Sequence, residues 1–185
     1  MTPPFRGGVI QNSFYRMLVR RNNRNCQQVK MKKLILLLLI ISQSALANCW
    51  DKAAHYYHVD PYLLYAIANV ESGMNPYAVG QNRDGTRDVG LMQINSSHFT
   101  ALESRGIDEY RLITEPCTSI MVGASILSGM IRVYGYNWEA VGAYNAGLKK
   151  ENYPQRMKYA HKVWAKYQQL KLAARYQRFL FLKNS

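Results

Sequence analysis

Leu63/Leu64, Ile67 and Val70 recur at i, i+3/i+4 spacing inside a short, sharply bounded segment. That spacing belongs to a helix with one buried face. Asp60 supplies an N-cap and Pro61 the first helical position. Gly73 and Pro76 stop the helix. Glu71 falls in its last turn, on or beside the stripe that carries Leu64 and Ile67. A carboxyl in such a place either costs stability or does chemistry. Apolar surroundings disfavour its charged form and raise its pKa. It can then hold a proton near neutral pH and pass it to a leaving oxygen, as cleavage of a glycosidic bond requires.

The rest of the pattern is almost wholly helical. Trp50–His58 reads as a short amphipathic helix. Ser96–Leu102 reads as a Ser-capped one, and Pro116–Tyr134 as a long helix with Ile120, Gly123/Ala124, Leu127 and Ile131 on one face. Gly135 ends that helix. Asn137 caps the next, Trp138–Asn145, which Gly147 ends, and Pro154 opens a last long helix. Strand content is expected only in the polar stretch Asn75–Asp88, where Asp84-Gly85 signals a hairpin turn. These elements make a mainly α single domain over 48–168. The segment 169–185 is a basic, aromatic extension that either continues the helix or frays.

Upstream, Met31-Lys32-Lys33, the unbroken apolar run Leu34–Ile41 and Ala45-Leu46-Ala47 have the three-part layout of a secretory signal peptide over 31–47. The apolar run is far short of the roughly 20 residues of a membrane span. Cleavage after Ala47 starts the mature chain at Asn48, in the periplasm. Residues 1–30 are a basic extension without an acid, read either as a mis-assigned start upstream of Met31 or as a long n-region.

Export makes the cysteines informative. Cys26 lies in the leader, and Cys49 and Cys117 remain as an even pair in an oxidising compartment. A Cys49–Cys117 disulfide is expected, two free buried thiols being the alternative. No metal is expected, because Cys49, His55 and His58 have no further ligand pair to complete a site. The net charge of +13 is uneven. Residues 48–148 carry six basic residues and ten acids, while from Lys149 onward ten basic residues face the single acid Glu151. A basic tail suits an anionic partner such as phospholipid or an acidic wall polymer, or is simply a solvated helix face. No nucleic-acid motif is present.

A glycoside hydrolase ordinarily pairs its acid with a second carboxylate. Asp84, Asp88, Glu103, Asp108 and Glu109 are available, none in an apolar setting like that of Glu71. Three segments then stand in order: Val70-Glu71-Ser72-Gly73-Met74-Asn75-Pro76, Gly90-Leu91-Met92-Gln93-Ile94-Asn95 and Ala143-Tyr144-Asn145-Ala146-Gly147. Together they resemble the motifs of the lysozyme-like lytic transglycosylases, over roughly Cys49–Trp164. The compact size and the opening Cys49-Trp50-Asp51-Lys52-Ala53-Ala54 are similar to the specialised enzymes of type III secretion, conjugation and type IV pilus machines.

The resemblance implies a lysozyme-like (goose-type, SLT) helical fold with a small β-hairpin. It implies cleavage of the β-1,4 bond between N-acetylmuramic acid and N-acetylglucosamine in peptidoglycan, without water and without a cofactor, leaving a 1,6-anhydromuramoyl end. One catalytic acid then suffices, and Glu71 holds that place. Tyr144 is expected to hydrogen-bond and orient Glu71. Asn145 is expected to meet an N-acetyl group, and Gln93 to line the sugar cleft. Ser72 is expected to bond the N-acetyl carbonyl or tune Glu71. Asn95 is grouped with these substrate-facing residues, although many larger relatives carry an apolar residue there. The partners implied are peptidoglycan glycan strands and components of a secretion, conjugation or pilus machine, with the enzyme a monomer. A lysozyme-like hydrolase using water and a non-catalytic wall-binding module are the alternatives.

Overall fold

The computed structural model describes residues 48–183. The basic extension 1–30, the expected signal peptide over 31–47 and the last two residues lie outside the described residues. The described residues form one compact unit.

Helix α1 (48–57) packs Trp50, Ala53 and Ala54 into the core. Helix α2 (Pro61–Ser72) starts as expected: the Asp60 side chain accepts from Tyr62 N–H at 2.8 Å and Pro61 takes the first helical position. It buries Leu63, Leu64, Ala66, Ile67 and Ala68, and Gly73 ends it in the left-handed conformation (φ 61°). The disulfide Cys49–Cys117 ties α1 to the first turn of α5, its Cα atoms 5.4 Å apart. It closes a loop of 68 residues. In the chain-entropy picture that is about 4–5 kcal/mol taken from the unfolded state, an upper bound.

The polar stretch is a sheet of three strands, one more than the hairpin expected. Strands β1 (Val79–Gln81), β2 (Arg87–Val89) and β3 (Ile94–Asn95) run antiparallel in that order, with Val79 opposite Val89 and Asp88 opposite Asn95. The Asp84-Gly85 turn joins β1 to β2, closed by Asn82 N–H to Thr86 O at 2.8 Å. Between β2 and β3 the chain turns at Gly90 (φ 76°), where a Cβ would stand 2.3 Å from the Leu112 carbonyl oxygen. Only glycine fits both the angle and the contact.

A 3₁₀ turn (Ser96–His98) capped by Asn95 leads into α3 (Phe99–Glu103), so the cap is Asn95 rather than Ser96. Helix α4 (Glu109–Thr114), capped by Asp108, was not foreseen. Helix α5 (Pro116–Tyr134) runs through the core, burying Ile120, Val122, Gly123, Ala124 and Leu127. Helix α6 (Trp138–Ala146) is capped by Asn137, whose side chain accepts from Ala140 N–H at 3.0 Å. After a 3₁₀ turn at Lys150–Asn152, α7 runs unbroken from Tyr153 to Lys183, so the extension past Gln169 continues the helix.

Helices α6 and α7 approach very closely. A Cβ on Gly142 would lie 2.3 Å from the Arg156 carbonyl oxygen. Arg156 is only 3% exposed. Its guanidinium donates to Glu139 Oε1 at 2.9 Å and to the Lys149 carbonyl at 2.7 Å, and lies over the Tyr134 ring. The buried charge is thus paired and hydrogen-bonded, as burial demands. It fastens the start of α7 to α6 and to the loop between them. Gly142→Ala should therefore push α7 away from α6 and cost about 1–3 kcal/mol by overpacking. Urea denaturation measures that loss, and an unchanged midpoint would contradict the close approach.

Candidate active site

The last turn of α2, the sheet, the C-terminal end of α5 and the end of α6 surround a cleft of ≈ 640 Å³, lined in part by Glu71, Asp88, Gln93, Asn95, Tyr144 and Asn145. All but one of the residues assigned to the site from sequence line it. The exception is Ser72. Its hydroxyl donates to the Ala68 carbonyl at 3.1 Å and the Leu91 carbonyl at 2.8 Å, so it bonds backbone rather than facing sugar.

Ser72 belongs to a set of three bonds that hold the Gly90–Gln93 turn. Met92 N–H donates to Ser119 Oγ of α5 at 3.0 Å, and Tyr144 Oη of α6 donates to the Met92 carbonyl at 2.8 Å. Helices α2, α5 and α6 thus each fasten one backbone group of the turn. The Gln93 side chain closes it from within: Nε2 donates to the Ala78 carbonyl at 3.0 Å and the Gly90 carbonyl at 2.9 Å. Gln93 itself takes a left-handed backbone (φ 48°), uncommon for a residue other than glycine.

The tyrosine that bonds Glu71 is not Tyr144, as expected, but Tyr159 of α7. Its Oη donates to Glu71 Oε1 at 2.6 Å across 88 residues of sequence. Tyr144 spends its proton on Met92, while its ring remains on the cleft wall. Tyr159 lies on the buried face of α7 with Ala160 and Val163, where an aromatic is ordinary core packing. The close α6–α7 contact between Gly142 and Arg156, one turn before Tyr159 on α7, is what brings it there.

Glu71 has its pKa raised to about 7. Burial is the main cause; the hydroxyl of Tyr159 and the amide of Asn145 pull it down, the Asp88 charge pushes it up and Lys162 pulls it down. Both tyrosines are held well above their usual pKa, chiefly by burial and next by the Glu71 charge, so they stay neutral. Tyr159 remains a proton donor to a carboxylate that is poised to gain and lose its own proton.

Asp88 is the feature of the cleft that its sequence setting hid. Its two carboxylate oxygens accept from Asn82 Nδ2 at 2.9 Å and Asn95 Nδ2 at 2.8 Å. The β2–β3 register sets Asn95 opposite Asp88, and the Asn95 side-chain oxygen Oδ1 accepts from Ser97 N–H at 2.9 Å. Asn95 is therefore committed to positioning Asp88 and starting the next turn. Asp84, at the cleft edge, accepts from Thr86 N–H and Oγ1, bonds that hold its pKa down.

A helical domain with a small antiparallel sheet, cleft by one raised carboxyl, is the arrangement of the lysozyme-like glycan-cleaving enzymes. The chain belongs to the transglycosylase SLT domain family, which matches residues 48–166, and is a specialised lytic transglycosylase of that family. It is 50% identical over 138 residues to the invasion protein IagB of Salmonella typhimurium, covering 75% of this chain and 86% of that protein. It is 43% identical over 139 residues to the protein IpgF of Shigella sonnei, covering 75% and 90%. Among solved structures, an inactive mutant of the lytic transglycosylase Slt from Pseudomonas aeruginosa superposes with a TM-score of 0.53 at 21% identity. That match covers 68% of this chain and 24% of the Slt chain, so this chain spans about a quarter of that protein, and the likeness is one of fold.

Two outcomes follow from the raised pKa. Replacing Tyr159 by Phe removes a bond to the carboxylate, so the Glu71 pKa rises further. The alkaline limb of the pH–rate profile should move to higher pH while the rate falls. A limb unmoved in Tyr159→Phe would contradict the bond. For stability, the native state keeps a proton on Glu71 up to about pH 7, whereas an unfolded carboxyl loses it near its ordinary value of 4.5. The native state binds more protons in that window, so stability falls as pH rises through it. Glu71→Gln should thus gain on the order of 1–3 kcal/mol over the parent at pH 8 and much less at pH 4, as read from denaturation at the two pH values.

Proposed function

We propose that Glu71 is the sole proton-transfer residue of this lytic transglycosylase. In this reading it cleaves the β-1,4 bond between N-acetylmuramic acid and N-acetylglucosamine in peptidoglycan. Protonated Glu71 gives its proton to the glycosidic oxygen as the bond to C1 breaks and positive charge builds on the muramoyl ring. The resulting carboxylate takes the proton from the C6 hydroxyl of that sugar, whose oxygen bonds C1. The products are a 1,6-anhydromuramoyl end and a free N-acetylglucosamine hydroxyl, and the enzyme ends protonated as it began. Because the nucleophile belongs to the substrate, positioning replaces a second reactant; in ideal systems that supplies about 7–11 kcal/mol.

The observation that carries this reading is the raised pKa of Glu71 beside a neutral Tyr159. A carboxyl poised near neutrality serves equally as acid and base. Tyr159 and Asn145 steady its charged form between the two steps. In this reading Asn145 and Gln93 meet N-acetyl and hydroxyl groups of the glycan, which their position on the cleft wall supports. Tyr144 and Ser72 serve by holding the turn that carries Gln93.

Asp88 supports a second reading. Its charge acts on Glu71 from the sheet side of the same cleft. A carboxylate there is suited either to balance the positive charge of the transition state or, in a hydrolase, to activate a water. Its two amide bonds favour the first role, because they occupy both oxygens and hold the group in place. The export signal, the oxidised cysteine pair and the resemblance to an invasion protein support a place in the periplasm, opening the wall locally for a secretion, conjugation or pilus machine. The glycan strand and that machine are the partners, and the enzyme works as a monomer.

Digestion of purified peptidoglycan followed by mass analysis of the muropeptides tests the reaction. The proposal expects 1,6-anhydromuramoyl ends from the parent and none from Glu71→Gln. Reducing muramoyl ends would instead assign a hydrolase. Asp88→Asn should lower the rate by about 10²–10³, by analogy with the loss of one electrostatic stabiliser, while the residual products keep the anhydro end.

A further inference from the structure

The distal part of α7 is unused by the site. Tyr167 and Lys171 bond the Asp60 carboxylate at the start of α2, at 2.7 and 3.4 Å, and so fasten the middle of α7 to the body. From Leu172 on, large apolar side chains face outward: Leu172 is 69% exposed, Tyr176 60%, Phe179 61% and Leu182 65%. Leu172, Tyr176 and Phe179 follow at i, i+4 and i+7, so they form one stripe along the helix. Arg175, Arg178 and Lys183 stand among them, and α7 holds no acid at all. The same helix carries Lys158, Lys162 and Lys166 closer to the body.

We propose that this end of α7 is an interfacial helix that docks the enzyme on an anionic lipid surface. A helix with an apolar stripe and only basic charge lies in the headgroup region, its aromatic and leucine side chains in the acyl boundary and its arginines at the phosphates. An acidic polymer would be recognised by the charges alone and gives no reason for these outward apolar side chains. A basic face without a single acid is complementary to a uniformly negative surface rather than to the mixed charges of an ordinary protein partner. The proposal stands apart from the catalytic reading, because none of these residues lines the cleft.

The test uses the chain from Asn48 to Ser185, which holds its own core and disulfide. It is floated with vesicles of phosphatidylcholine alone or with phosphatidylglycerol added, at low and high salt. Three proteins are compared: the parent, Leu172→Ser/Tyr176→Ser/Phe179→Ser, and Arg175→Glu/Arg178→Glu. Circular dichroism and unchanged muropeptide release in solution verify that each variant is folded. The proposal expects the parent to float with the anionic vesicles only and to be released by salt, as screening requires. Each variant should bind about tenfold or more weakly. Equal binding to neutral vesicles, no binding to either, or full binding by the apolar triple variant would each overturn it. So would retention on isolated sacculi that only the charge variant loses, which would assign the tail to an acidic wall polymer.

Discussion

One hydrogen bond organises the molecule, from Tyr159 Oη on α7 to Glu71 Oε1 at the end of α2. It joins two helices 88 residues apart in sequence at the point where a carboxyl is drawn out of water. Leaving such a carboxyl unpaired would be costly, and pairing it with a cation would hold it ionised. A neutral tyrosine does neither. It satisfies the oxygen while burial keeps the pKa near 7, where one group can donate and recover a proton. The surrounding architecture follows from the need to hold α7 in place: the bare contact at Gly142, the Arg156 clamp, and the Tyr167–Asp60 bond at the far end of α2.

The Gly90–Gln93 turn shows a second economy. Its backbone is held by Ser72, Ser119 and Tyr144 from three different helices and by the Gln93 amide from within. Two residues that family resemblance points toward the substrate thus act on the loop that presents the cleft wall. The sheet does the same for charge. Its register sets Asn95 opposite Asp88, and with Asn82 that amide fixes a carboxylate whose field reaches Glu71. In the proposed mechanism the wall opposite the acid is then a fixed negative charge facing a transient cation, which needs no reorganisation during the reaction.

Local signals carried the fold a long way. The Asp60, Asn137 and Gly135 boundaries, the long α5 and the cysteine pair each rest on a single turn of chain or on compartment chemistry, and all stand in the structure. Helix α4 escaped notice because six residues of mixed polarity hold too little periodicity, and β3 because two residues hold none. Glu71 was legible because a carboxyl on an apolar stripe is out of place. Tyr159 was not, because an aromatic on an apolar stripe is ordinary, and what makes it special arrives from another helix. Asp88 was hidden in the same way: its polar setting conceals that the strand register and the cleft turn it toward Glu71. Arg156 read as one more charge of a basic tail, yet it is the buried pin at that helix's start.

The central claim is that burial, restrained by Tyr159 and Asn145, sets Glu71 to titrate near neutrality. Carbon-13 NMR of the Glu71 carboxyl carbon, followed across pH in the substrate-free enzyme, tests it directly. A midpoint of about 7 is the predicted result. A midpoint near the ordinary 4.5 would contradict the account, because Glu71 would then be ionised at neutral pH with no proton to give.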